Sequence, residues 1–366
     1  MSEPTPEPKK IQALEGLRGV MAWWVVLGHI SLTFGWNLPL IDRNTLAVDV
    51  FVILSGFVIS GLIDRKQESY LPYIMRRGFR LIPLYFAVLL LSAVLIGLQL
   101  DAWTHIPFST AQNQNRIDLA KEACENFPAH LAAHVTLLHG LVPKMWLPDA
   151  AFTLVGQAWS ISLEWQFYLI APFLLLALGR PKTGAIAIAA MILLALAARY
   201  FSSAFLGSKI ALFGVGITSY LALSRRGPRK FIRALLACSA AATLYTYGPW
   251  QSVPLLIWFL SLAATVVSRG HPLHAIAKLL GSKLAVGQGR ISYSIYLIHM
   301  LPLTIIVAIL NRMGAPQDLY PLVTAGLGLP ATLAFATLSY RYIEAPGIAL
   351  GARLTRLVLD PSRTLA

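Results

Sequence analysis

Leu46-Ala47-Val48-Asp49-Val50-Phe51-Val52-Ile53-Leu54-Ser55-Gly56-Phe57-Val58-Ile59-Ser60-Gly61-Leu62-Ile63 holds a single charged residue, Asp49, in 18 positions. At about 1.5 Å per residue a helix of this length crosses nearly all of a ~30 Å hydrocarbon core, so the stretch reads as a transmembrane helix. The pattern recurs along the chain. Spans are expected at about 11–34, 46–63, 80–98, 158–178, 183–203, 208–223, 231–248, 251–268, 285–310 and 319–339. The stretch 130–142 is apolar but shorter, and is expected to be a re-entrant or interfacial helix. Apolar residues make up 57% of the 366-residue chain and charged residues 13%, with a mean hydropathy of +0.65. A soluble domain carries about twice that charged fraction. The expected fold is therefore an all-α integral membrane protein, a single bundle of about ten transmembrane helices rather than several domains.

The formal net charge is +14. On a soluble protein this would suggest nucleic acid, but no such motif is present, and basic residues of membrane proteins gather in cytoplasmic loops. With the N-terminus inside, cytoplasmic segments hold roughly 21 of the 30 Lys and Arg and external ones about 7. The inside loops include Arg65-Lys66, Arg76-Arg77, Arg225-Arg226 and Arg229-Lys230. Both termini are thus expected in the cytoplasm, in a multi-pass protein of the inner (cytoplasmic) membrane. Residues 1–10 are expected to be a disordered tail, 11–345 the membrane domain and 346–366 a cytoplasmic basic tail. Lys9 and Lys10 precede an apolar stretch, but Glu15 and Arg18 interrupt it, so no cleaved signal peptide is expected. Cys124 and Cys238 give neither a disulfide framework nor metal spacing. His130 and His134 are i,i+4 neighbours without a third ligand, and no metal is expected. The long external segment 99–157, polar from Asp101 to Asn126, is expected to be functional. No internal repeat is visible, which weighs against an inverted-repeat transporter.

Ionisable residues within spans are costly and mark function by default. The first span carries Glu15, Arg18 and His29. Arg18 and His29 are 11 residues apart, about 20° beyond three full turns, so they share one helix face with an axial separation of about 16 Å. A snorkelling Arg18 and an interfacial His29 form the bland alternative. Glu164 lies about two turns in from the outer end of its span, at a depth similar to His29, so a carboxylate–imidazole pair is geometrically open, with helix capping or pairing to a structural arginine as the alternative. Arg76 and Arg80 sit one turn apart beside Arg77, suited to phosphate or simply a positive-inside loop. Ser55-Gly56 permits close helix approach. Arg290, Tyr296 and His299 in the ninth span are expected to form a buried polar network or a substrate contact.

Together these segments resemble the acyltransferase 3 family of membrane acyltransferases, the group of O-antigen, exopolysaccharide and nodulation-factor acetylases. Leu14-Glu15-Gly16-Leu17-Arg18-Gly19 with His29 resembles its Arg-x10-His first-helix motif, and Asp49 to Phe57 its Ser-Gly-Phe motif. Arg76-Arg77-x-x-Arg80 resembles its Arg-Arg-x-x-Arg loop, and Trp159-Ser160 with Glu164 and Tyr168 its Trp-Ser-x-x-x-Glu-x-x-x-Tyr segment. Ile291 to His299, and Ser339-Tyr340-Arg341-Tyr342-Ile343-Glu344, resemble its closing motifs. The likeness runs over about 11–345. Trp165 stands where the family often has a second acidic residue. With only a short basic tail after the last span, no appended extracellular hydrolase-like domain, and so no second transfer step, is expected.

The resemblance implies acyl-CoA, usually acetyl-CoA, as a co-substrate from the cytoplasm, with no tightly bound cofactor. It implies an acceptor hydroxyl on a cell-surface or lipid-linked saccharide at the outer side. On this reading Arg18, Arg76, Arg77 and Arg80 bind the donor, His29 is the general base and Glu164 its partner. Glu15, Asp49, Ser55, Trp159, Ser160, Tyr168, Arg290, Tyr296, His299, Arg341 and Glu344 support them. The alternatives are acylation of a lipid or small hydrophobic acceptor, and a proton-coupled transporter.

Overall fold

The computed structural model describes residues 8–224, 228–268 and 270–359, and among these every regular element is helical. In chain order the α-helices are α1 (Pro8–Phe34), α2 (Thr45–Lys66), α3 (Tyr70–Val94), α4 (Ile96–Thr104), α5 (Ala111–Glu125), α6 (Phe127–Val135), α7 (Trp159–Leu178), α8 (Pro181–Ala197) and α9 (Ile210–Leu223). They continue as α10 (Arg229–Tyr247), α11 (Ser252–Val266), α12 (His274–Leu280), α13 (Lys283–Arg290), α14 (Ser292–Ile298), α15 (Met300–Arg312), α16 (Leu319–Ser339) and α17 (Ala345–Leu359).

Eight helical stretches among the described residues are long and apolar enough to cross a membrane. They are Gln12–Phe34, Thr45–Lys66, Tyr70–Val94, Gly156–Leu178, Pro181–Tyr200, Pro249–Val266, Ser292–Arg312 and Leu319–Leu357. Two of the expected spans are helical but fall short of that standard. The first, α9, is apolar but has only 14 residues, about 21 Å at helical rise. The other, α10, opens on Arg229, Lys230 and Arg233 and is more polar. The expected ninth span starts too early as well: α13 is a separate helix that ends at Arg290 before the span begins at Ser292. Arg225-Arg226 lie outside the described residues, as do residues 1–7; helix α1 begins at Pro8, inside the expected tail. At the other end the expected tail is helical to Leu359, continuing α16 through a π-helical turn over Tyr340–Glu344 into α17, which packs on α3.

Close helix approach needs small residues. A Cβ on Gly216 of α9 would lie 2.0 Å from the Ile53 carbonyl oxygen of α2, and one on Gly56 would lie 2.6 Å from the Phe213 carbonyl oxygen. Ser55-Gly56 is therefore a crossing point, and Asp49 pins the same side of α2 through Lys209 at 2.7 Å and Gln251 at 2.6 Å. Gly216→Val should cost roughly 3 kcal/mol or more, because backbone rather than a flexible side chain blocks the added methyls. Thermal unfolding of the detergent-purified variant checks this, and an unchanged midpoint would show that the helices can part freely.

Segment 99–157 is not a structureless loop. Thr110 caps α5 by accepting from the Asn113 amide at 3.1 Å, which sets Asn113 and Arg116 one turn apart on one face. The apolar stretch 130–142 holds α6 and a short 3-10 turn whose His130, His134 and His139 are buried. His134 meets the Tyr85 hydroxyl at 3.0 Å and stacks on His139 at 4.2 Å, whereas His130 turns to Thr153 and Glu122. Burial holds His134 well below the usual histidine range and pushes His139 down to about 4. The unfolded segment takes up protons near pH 6.5 while the folded one resists until about pH 4, so stability drains as pH falls through that window. Limited proteolysis should therefore cut within 99–157 at pH 4.5 and spare it at pH 7.5; equal cutting at both would remove the stacked histidines as the cause.

Candidate active site

Two cavities lie back to back between α1, α2, α7 and α14, and Val48 and Tyr296 belong to the walls of both. The one toward the N-terminal end of α1, the inner cavity, is about 90 Å³ and is lined by Arg18, Arg77, Arg80, Ser55, Glu164 and Tyr168. Arg77 lies over the Tyr168 ring at 5.9 Å. The Glu164 carboxylate accepts from Ser55 Oγ at 3.2 Å and from the Tyr168 hydroxyl. Arg80 also lines a neighbouring pocket of about 260 Å³ with Glu15, Arg290, Tyr340 and Glu344. Glu344 is buried and accepts from Ser294 Oγ at 2.7 Å.

Arg76 departs from expectation. It pairs with Glu68 and donates to Thr355 Oγ1 of α17 at 3.2 Å, and it is not part of the inner cavity wall. The expected pairing of Arg76 with Arg80, four residues apart, is replaced by Arg77 and Arg80, three apart, because α17 covers the Arg76 side of α3. Arg341 is likewise outside these cavities, exposed beside Tyr342.

The outer cavity, toward the C-terminal end of α1, is about 340 Å³ and is lined by His29, Asn44, Gln99, Trp103, Gln112, Asn115, Arg116, Gln157 and Trp159 among others. Its wall is rich in amides and indoles, and much of it comes from segment 99–157. Tyr296 anchors the partition: its hydroxyl donates to the Gln157 carbonyl at 2.7 Å and accepts from Ser160 Oγ at 2.8 Å.

The expected His29–Glu164 pair does not form. His29 sits in the outer cavity against the His299 ring, centroids 5.1 Å apart, with Arg116 Nη2 3.5 Å from its Nδ1, while Glu164 is held in the inner cavity. Counting turns from helix ends fixes depth but not rotation about the axis, and packing turns Glu164 toward α2. His299 donates from Nδ1 to the Tyr296 carbonyl at 2.7 Å, and its Nε2 is buried with no partner. Asn44 precedes α2 without capping it, and its Nδ2 is also buried and unpartnered.

Sequence reasoning does not single out Asn44, Trp103, Asn113, Gln157 or Arg116. Arg116 lies in the polar stretch Asp101 to Asn126, where nothing in the pattern distinguishes it from its polar neighbours. Asn113 bonds the Thr33 and Phe108 carbonyls, and this docks α5 on the C-terminal end of α1 and buries Arg116 with it.

A family model described as an acyltransferase domain matches residues 11–341. The chain belongs to the acyltransferase 3 family. Relatives of this chain include the peptidoglycan O-acetyltransferase OatA of Listeria monocytogenes, 25% identical over 92% of this chain and 56% of the relative. The putative peptidoglycan O-acetyltransferase YrhL of Bacillus subtilis is 24% identical over 94% of this chain and 56% of the relative. Protein 2 in the picA locus of Rhizobium radiobacter is 32% identical over 43% of this chain and 78% of the relative. The chain spans about half the length of OatA and YrhL. No solved structure matches it.

Proposed function

We propose that this acyltransferase is an O-acetyltransferase of the inner membrane, with about ten spans and both termini in the cytoplasm. It moves an acetyl group from cytoplasmic acetyl-CoA to a saccharide hydroxyl at the outer side. The observation that carries this reading is the pair of abutting cavities, one cationic and one amide- and indole-lined, parted at Tyr296. Arg18, Arg77 and Arg80 suit the phosphates of CoA. The roughly 16 Å rise from Arg18 to His29 suits the thin pantetheine arm, which would carry the thioester past Tyr296 to His29. Indole faces with amide donors suit a sugar ring, and the names of OatA and YrhL point to a saccharide acceptor. His29 takes the hydroxyl proton as the oxygen attacks the thioester. Family membership leaves the transporter reading without support. Glu164 belongs with the donor arginines, where it orients Tyr168 and Ser55.

The test uses purified protein in lipid nanodiscs with labelled acetyl-CoA and oligosaccharide or lipid-linked saccharide acceptors. Ester-linked label in the saccharide and stoichiometric release of CoA are expected. Label confined to the membrane lipids would replace the saccharide by a lipid acceptor, and no CoA release would sink the reading.

A further inference from the structure

Arg116 is 8% exposed and sits beside His29. Among the described residues no carboxylate lies within ion-pair reach of it. Its partners are neutral: Nη1 donates to Thr33 Oγ1 at 2.7 Å and to Asn113 Oδ1 at 3.1 Å, and the guanidinium lies over the Trp103 ring at 4.3 Å. Burial pushes its pKa down to about 9, so the group is still a cation at neutral pH. A buried charge without a counter-ion costs several kcal/mol, and docking of α5 does not require one, since Asn113 already bonds two carbonyls of neighbouring segments. The two prongs also differ. Nη1 is held by short bonds, whereas Nη2 has only long contacts, 3.4 Å to the His29 carbonyl and 3.5 Å to its Nδ1. A buried cation with one loosely held prong, next to the base and on the wall of the outer cavity, lacks only an anion.

We infer that Arg116 supplies that site's electrophile: its Nη2 takes the negative charge that forms on the acyl carbonyl oxygen during transfer. The inference rests on the acetyl-transfer reading above. As the acceptor oxygen bonds to the thioester carbon, its proton passes to His29 and the carbonyl electron pair moves onto oxygen, beside Arg116. The intermediate then collapses: the carbonyl re-forms, the carbon–sulfur bond breaks, and the imidazolium returns the proton to the CoA thiolate. The products are the acetyl ester and CoA thiol, with His29 and Arg116 as they began. Because the oxyanion exists only in the transition state and intermediate, the interaction acts on kcat and hardly on ground-state binding.

The test is steady-state kinetics of Arg116→Ala and Arg116→Lys in nanodiscs, with acetyl-CoA and the best saccharide acceptor of the wild type. Arg116→Ala should lower kcat by about 10²–10³-fold, with both KM values within about threefold of wild type. Arg116→Lys should recover part of the loss, and added methylguanidinium should restore turnover to Arg116→Ala, which a merely structural role would not allow. Should Arg116→Ala fail to yield folded protein by size exclusion, Arg116→Lys alone carries the test: lowered kcat at unchanged KM supports the inference, and wild-type kcat overturns it. A rise in acceptor KM at constant kcat would make Arg116 a ground-state binder of the acceptor and also overturn it. Absence of turnover in the wild type would instead sink the acetyl-transfer reading itself.

Discussion

His29→Ala should leave no measurable acetyl transfer, a fall of about 10³-fold or more, while the protein inserts and elutes as the wild type does. General-base catalysis alone accounts for about 10²–10⁴-fold, and the outer cavity offers no equivalent replacement. His299 is fully buried, with Nδ1 committed to the Tyr296 carbonyl, and it is not part of the outer cavity wall. The loss should also persist at saturating acetyl-CoA, because His29 lies away from the cationic inner cavity. Turnover above a tenth of wild type would remove His29 as the base.

The second large effect separates three neighbouring arginines. Arg77→Ala and Arg80→Ala should each raise the acetyl-CoA KM by about 10–100-fold, the loss of one charge-assisted hydrogen bond of roughly 1.5–3 kcal/mol to phosphate. The acceptor KM should move little. Arg76→Ala should leave the donor KM near wild type and instead lower thermal stability, since its guanidinium ties α3 to Glu68 and to Thr355 on α17. Kinetics with varied acetyl-CoA decide the matter. A donor KM raised as much by Arg76→Ala as by Arg80→Ala would mean that the inner cavity is not the phosphate site.

Part of the site is legible in the sequence. An arginine and a histidine in an apolar helix are conspicuous because each is expensive there, and helical periodicity alone puts Arg18 and His29 on one face. The fold opens that face onto two cavities, inner for Arg18 and outer for His29. Arg77 and Arg80 are visible as a basic run, but choosing them over Arg76 needs α17, which reads as a tail. Its mixture of apolar and basic residues, Leu354-Thr355-Arg356-Leu357, carries no signal of which helix it will cover.

The sequence by itself determined what depends on composition and one-dimensional period. That includes a helical membrane protein, most of its spans, the crossing glycine of α2, the family, and the presence of costly charges inside α1. Only the tertiary structure decided what depends on rotation and long-range contact. It turned Glu164 to Ser55 and Tyr168 instead of His29. It set His299 against His29 across 270 residues of chain, and it folded α5 back onto α1 so that Arg116 is buried at the outer cavity. The physical reason is that hydropathy records how far a segment lies from water, while the azimuth of a helix and the docking of a polar segment are fixed by the side chains of distant partners. No local pattern encodes those partners.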